Sequence, residues 1–210
     1  MLTRWPRAGQ VNICEMIVEN STDTNRERVN MDEPEVRYWY PPEWRDEFLR
    51  TGTVKIWGDH YPELGDGSLG IHKPSPKNES SLSTYALMYL LRRDEGVHSL
   101  TYFRLPAKTP TKDGRREQLQ AIMRNKMDDK HFDTLRNAIR AAHLTKQGFQ
   151  GEPDLFCWQP ITDTWFFAEA KGKDTLTASQ HQWFRVCRET LPGVVIRVCK
   201  VRPQTKTATK

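Results

Sequence analysis

The sequence has no hydrophobic run of about 18 residues, so it predicts no transmembrane helix and no membrane partner. Nothing apolar follows the opening Met-Leu-Thr-Arg-Trp-Pro-Arg, which argues against a secretory signal. Cysteine is scarce. The four present (Cys14, Cys157, Cys187, Cys199) form no CxxC pair, which argues against a zinc site or a disulfide framework and fits a reducing cytoplasm. Hydrophobic residues make up only 37% against 28% charged, so part of the chain is expected to be exposed extension rather than core. No internal repeat is visible.

Charge is present in quantity and unevenly placed. The net is +5, with 32 Lys+Arg and 27 Asp+Glu among 210 residues. Residues 1–111 carry 14 basic and 16 acidic side chains, and residues 112–210 carry 18 and 11. A basic second half suggests a polyanionic partner, nucleic acid first among them. A solvated lysine-rich surface has the same composition.

The pattern divides the chain into four parts. Residues 1–35 read as a weakly ordered extension, because the stretch Glu19 to Glu35 is almost wholly polar. Residues 36–111 form an N-terminal helical and loop-rich region of unknown role. It opens on Tyr38-Trp39-Tyr40-Pro41-Pro42-Glu43-Trp44, aromatics that either stack on bases or pack a small core. Residues 59–80 read as loop. A helix over 81–93 is apolar nearly all round and therefore buried, and 101–104 reads as a short strand. Residues 105–114 read as a linker and domain boundary. Residues 112–201 predict an α/β domain, and 202–210 a flexible tail.

Within that domain, helices are expected over 115–127 and 128–143. The second is marked by Phe132, Leu135, Ile139 and Ala142 at helical spacing. Two strands, 154–159 and 164–171, make a hairpin. A helix at 178–190 and a valine-rich strand at 193–201 close the domain. Cys157, Cys187 and Cys199 read as small core residues. His131 and His143 fall on different helical faces, which argues against a metal pair.

The hairpin carries the chemistry. A turn centred between Ile161 and Thr162 puts Trp158 opposite Trp165, Phe156 opposite Phe167 and Asp154 opposite Glu169. Opposed Cβ atoms lie about 4.5–5.5 Å apart. Lys171, two residues beyond Glu169, shares its face. A slip of one residue would break every pair at once. Two carboxylates this close repel, and a hard divalent cation resolves the conflict. Mg²⁺ is usually held by one or two carboxylates and completed by water and substrate phosphate. The Ala170 carbonyl offers a further oxygen. Lys171 would orient an attacking water or stabilise charge on phosphorus. The same three residues also suit a surface salt-bridge cluster, worth about 0–1 kcal/mol.

Pro153-Asp154 followed by Glu169-Ala170-Lys171 resembles the signature of the PD-(D/E)XK nucleases. The fuller series resembles their VRR-NUC branch, the virus-type replication-repair nucleases. It runs Gly151–Leu155, Glu169–Gly172, the loop Lys173-Asp174-Thr175, Leu176–Gln180 and Val194–Val201. The resemblance covers about residues 148–201. It implies a restriction-endonuclease-like mixed sheet flanked by helices. It also implies a Mg²⁺- or Mn²⁺-dependent nuclease acting on DNA, branched or flapped DNA included, in repair, replication or defence. Asp154, Glu169 and the Ala170 carbonyl would hold metal, with Lys171 as the catalytic lysine. Gln180 matches a glutamine often near the active site, although Thr177-x-x-Gln180 is also a helix capping box.

The chain departs from that pattern twice. The usual upstream acidic residue has Glu117 as its best candidate, with Asp128, Asp129 and Asp133 competing. The usual strand before the Pro-Asp strand is represented only by the short, polar Leu144–Gln150. Arg115, Arg116, Arg136, Arg140, Lys146, Lys173 and Arg185 would form a phosphate-binding rim. The rival reading is a non-catalytic DNA-binding module that keeps the nuclease fold, and RNA is a further substrate. A homodimer would suit cleavage of both strands, though the sequence marks no interface.

Overall fold

A computed structural model of the chain describes residues 35–63, 79–105, 114–142 and 151–205. These residues belong to a unit spanning Asp32–Lys210.

At its centre is one five-stranded mixed sheet. Its strands are β1 (Glu35–Tyr40), β2 (His98–Thr101), β3 (Leu155–Gln159), β4 (Thr164–Lys171) and β5 (Ile196–Pro203), in the order β1-β5-β4-β3-β2. Strands β1, β5 and β4 run parallel, while β3 is antiparallel to both β4 and β2. The α/β class and the mixed, helix-flanked sheet are as the sequence predicts.

Alternation along the strands sends side chains to two cores. On one face, Leu155, Cys157, Phe166, Ala168, Ala170, Cys199 and Val201 meet three of the described helices. These are α1 (Glu43–Thr51), α2 (Lys55–His60) and α3 (Glu79–Leu90). Helix α3 is buried on every side from Leu82 to Leu90 apart from Ser83, which is why its sequence has no polar face. Trp44 of α1 meets Trp57 of α2 and Tyr89 of α3 edge-on, at 5.5 and 5.2 Å between ring centroids. The packing role weighed for the aromatic cluster thus holds for Tyr38, Tyr40 and Trp44, but Trp39 is 46% exposed.

On the other face, Phe156, Trp158, Phe167, Ile196 and Val198 meet α4 (Arg115–Met127), α5 (Asp129–Ala141) and α6 (Ala178–Thr190). Leu119, Met123 and Met127 bury one stripe of α4, and Phe132, Leu135 and Ile139 one stripe of α5. Asp128 separates the two helices. Its backbone has φ +63°, and its carboxylate caps α5 by accepting from the His131 amide at 2.8 Å.

The structure differs from the sequence reading in several places. The boundary expected at 105–114 divides the chain but not the sheet, because β2 pairs with β3 and β1 pairs with β5. The described residues between 35 and 105 therefore supply β1, β2 and one helical layer to the same sheet as β3, β4 and β5. The strand expected at 101–104 lies at His98–Thr101, where Ser99, Leu100 and Thr101 find partners on β3. Helix α2 occupies part of the loop expected over 59–80. Strand β5 starts at Ile196 and runs to Pro203, so the tail expected from 202 is ordered at its start, where the Gln204 amide bonds the Tyr40 carbonyl at 2.8 Å. Cys14, His143, Lys146, the strand considered at 144–150, and the extension before residue 35 lie outside the described residues.

Candidate active site

The hairpin register is the one the sequence predicts: Trp158 aligns with Trp165 and Phe156 with Phe167. The aromatic end of this face is a packed series. Phe156 and Phe167 meet at 5.7 Å, and Phe167 meets Trp183 of α6 at 5.1 Å. That contact fixes α6 over the sheet and brings its N-terminus to the polar end of the hairpin.

Two reciprocal hydrogen bonds close that end. The Asp154 amide donates to Glu169 Oε2 at 3.2 Å, and the Ala170 amide donates to Asp154 Oδ2 at 3.0 Å. Each strand's carboxylate thus holds the other strand's backbone. Lys171 Nζ lies 2.9 Å from Glu169 Oε1, with both side chains almost fully buried. It also donates to Gln180 Oε1 at 3.0 Å and pairs with Asp174 Oδ2 at 3.2 Å. Gln180 completes the ring by donating Nε2–H to Glu169 Oε1. The capping box is present as well: the Thr177 amide donates to Gln180 Oε1 at 2.9 Å, and Thr177 Oγ1 accepts from the Gln180 amide. Gln180 therefore caps the helix and also bridges Lys171 and Glu169.

Gly151 explains the approach of α6. Its φ is +85°, and a Cβ there would stand 2.1 Å from the Ser179 carbonyl oxygen and 2.9 Å from the Gln180 amide nitrogen. Only glycine lets the chain before Asp154 pass this close to the first turn of α6.

The electrostatics follow from burial. Burial, then the neighbouring Glu169 charge, raises the Asp154 carboxyl well above the ordinary carboxylate range. Burial raises Glu169 too, with Lys171 opposing. Burial pulls Lys171 down, but Glu169 and Asp174 outweigh it and leave the ammonium above its usual value.

This donor set fits a hard divalent cation. Two adjacent carboxylates that repel one another, with the Ala170 carbonyl between Glu169 and Lys171 in the chain, match the small protein share that Mg²⁺ or Mn²⁺ takes beside water and phosphate. It is not a closed cage. Among the described residues no group of three or more His, Cys, Asp and Glu is gathered to hold a metal. Glu117, the upstream acidic candidate, is exposed in the first turn of α4 and joins no such group. Of its competitors, Asp128 caps α5, and Asp129 and Asp133 pair with Arg124.

Arg116, one of the residues expected to form a basic rim, lies near enough to Glu152 to favour its charged form. Arg136 lies over the Phe132 ring at 5.9 Å, Arg185 faces Glu189 at 4.0 Å, and Lys173 is exposed beside the site.

Sequence reasoning missed two carboxylates. Asp174 anchors Lys171, signalled only by its position three residues beyond it. Glu152 accepts from the Leu105 amide at 2.7 Å and the Arg104 amide at 3.1 Å, tying the Pro-Asp strand to the chain after β2. Burial pushes its carboxyl up to about 7 against those bonds.

No family model, curated protein or solved structure was found to match the chain. No helix among the described residues is long and apolar enough to cross a membrane.

Proposed function

We propose that the chain is a divalent-metal-dependent nuclease hydrolysing phosphodiester bonds in DNA, built on a restriction-endonuclease-like sheet of the VRR-NUC type. One observation carries the reading: Asp154, Glu169, Lys171 and Gln180 converge at one end of one sheet face in a closed hydrogen-bonded set. A surface salt-bridge cluster would be solvated. Here Glu169 and Lys171 are 2% and 5% exposed, so both charges carry a desolvation cost that a solvated cluster avoids.

Asp154 and Glu169, with the Ala170 carbonyl, would hold Mg²⁺ or Mn²⁺. Bound there, the cation supplies Lewis-acid polarisation of a phosphoryl oxygen and a lowered pKa for water. Lys171 is the cation of the protein itself. It keeps its proton because Glu169 and Asp174 flank it, and it offsets negative charge developing on phosphorus. Gln180 is a positioning residue that holds the Lys171 ammonium and the Glu169 carboxylate in one geometry. The basic net charge of the second half favours a polyanionic substrate.

The test is incubation of labelled duplex, flapped and four-way-junction DNA with the full chain in Mg²⁺, Mn²⁺ or EDTA. Cutting that needs the metal and is lost in Asp154→Ala is the expected result. Binding without cutting in every metal would leave a DNA-binding module and end the nuclease reading.

A further inference from the structure

The face that carries Glu169 and Lys171 does not end at β4. The register aligns Lys171 with Lys200 on β5, and Lys200 with Arg37 on β1. Aligned residues on neighbouring parallel strands share a face, and strands lie about 4.8 Å apart. The three side chains therefore start in one row that reaches about 10 Å from the candidate catalytic lysine. Two residues along, Trp39 aligns with Arg202 on the same face.

Burial confirms which way these residues point. Tyr38 and Tyr40 are buried against the opposite core, while Trp39 is 46% exposed and the Arg37 side chain 70% exposed. Arg37, Trp39, Lys200 and Arg202 line one surface pocket with a single carboxylate, Glu35, which pairs with Arg37 at 3.3 Å. The strip is continuous with the site through one residue: Lys200 Nζ donates to the Asp174 carbonyl at 2.7 Å, and the Asp174 carboxylate holds Lys171.

Three cations around an exposed indole are the components of a stacking platform. Cations track the phosphates, and an aromatic ring stacks on any unpaired base. A blunt duplex hides its base faces everywhere but at its two ends and so offers Trp39 little to stack on. We propose that the strip of Arg37, Trp39, Lys200 and Arg202 binds a single-stranded polynucleotide and leads it towards Lys171. The destination rests on the nuclease reading; the binding does not.

The experiment is fluorescence anisotropy in EDTA, with the full chain and a labelled oligothymidylate of roughly twenty nucleotides, above the usual site size. Oligouridylate and a blunt duplex of the same length are the other arms. Trp39→Ala is expected to weaken oligothymidylate binding roughly 5- to 150-fold, the loss of one stacked base. Trp39→Phe should keep most of the affinity, and the blunt duplex should be indifferent to both changes. Arg37→Ala with Arg202→Ala should flatten the salt dependence by about 0.7 in log–log slope for each phosphate no longer neutralised. All these positions are on the surface, and unchanged unfolding midpoints would confirm intact folds. Oligouridylate held equally well through Trp39 would assign the strand regardless of its sugar.

Wild-type binding of oligothymidylate by Trp39→Ala would overturn the inference, as would equal weakening on single strand and duplex. Binding read in EDTA and cutting read in Mg²⁺ separate the two claims. A chain that binds single strands through Trp39 but cuts nothing keeps the strip and loses the nuclease. One that cuts duplex but ignores Trp39 keeps the nuclease and loses the strip.

Discussion

Gln180 joins two functions that substitution can separate. Its amide bridges Lys171 and Glu169, and its carbonyl also caps the backbone of α6. Thr177→Ala removes half of the cap and leaves the bridge. It is expected to cost about 1 kcal/mol of stability in urea unfolding, with a cleavage rate close to wild type. Gln180→Ala should cost a similar amount of stability but lower the rate at saturating substrate by at least about tenfold. Equal rates in the two variants would reduce Gln180 to a cap. Gly151 tolerates no such subtlety. Gly151→Ala places a methyl against the Ser179 carbonyl and strains a left-handed backbone, so a loss of about 3 kcal/mol or more is expected. Glu152 supplies a pH signature. Its folded-state carboxyl titrates near 7, above its ordinary value of 4.5, so the folded state binds the extra proton. The resulting stability is fully present below about pH 4.5 and is lost as pH rises through about 7. Glu152→Gln should flatten that part of the profile of unfolding free energy against pH; an unchanged slope would assign it to other groups.

At the scale of elements, the two faces of the sheet are held by different means. The face under α4, α5 and α6 is aromatic and aliphatic until the site begins. The opposite face carries a partly buried charged cluster where the π-helical turn Leu91–Glu95 meets β5. Glu95 accepts from Arg197 at 2.8 Å and from the Tyr38 hydroxyl, and its backbone carbonyl accepts from Gln159 Nε2 at 2.7 Å. Arg197 also lies over the Phe166 ring at 4.0 Å. This cluster joins β1, β3, β5 and the end of α3. Glu95→Ala leaves a guanidinium and a hydroxyl without their acceptor and should cost about 2–4 kcal/mol, measured by chemical unfolding. A cost below about 1 kcal/mol would mean that water replaces the carboxylate there.

Across the whole molecule, the hairpin and its polar end were legible because aromatic and charged pairs agree on only one register. Phe156 with Phe167 and Asp154 with Glu169 cannot both survive a slip. Helices α4, α5 and α6 were legible from their single apolar stripes. The unity of the sheet was not. Strand β1 is six residues long and pairs with β5 from the far end of the chain, and β2 is four residues long. Short strands carry no local mark of a distant partner. For the same reason the sequence could not separate Trp39 from Tyr38 and Tyr40: all three are aromatic, and only pairing with β5 decides which one faces out. Asp174 and Glu152 were hidden because their roles depend on loops folding back, not on periodicity.

The central claim is that Asp154 and the buried Glu169–Lys171 pair do chemistry and do not merely hold two strands together. The most direct measurement is the single-turnover rate of DNA cleavage in Mg²⁺ by wild type beside Glu169→Gln and Lys171→Met, with unfolding midpoints recorded for each. Both variants are neutral and close in volume to the residues they replace, so both can fold. The expected result is a rate at least about a hundredfold lower in each folded variant, equivalent to about 2.7 kcal/mol of lost transition-state stabilisation. Folded variants that cut as fast as wild type would contradict the account and make the set a structural latch.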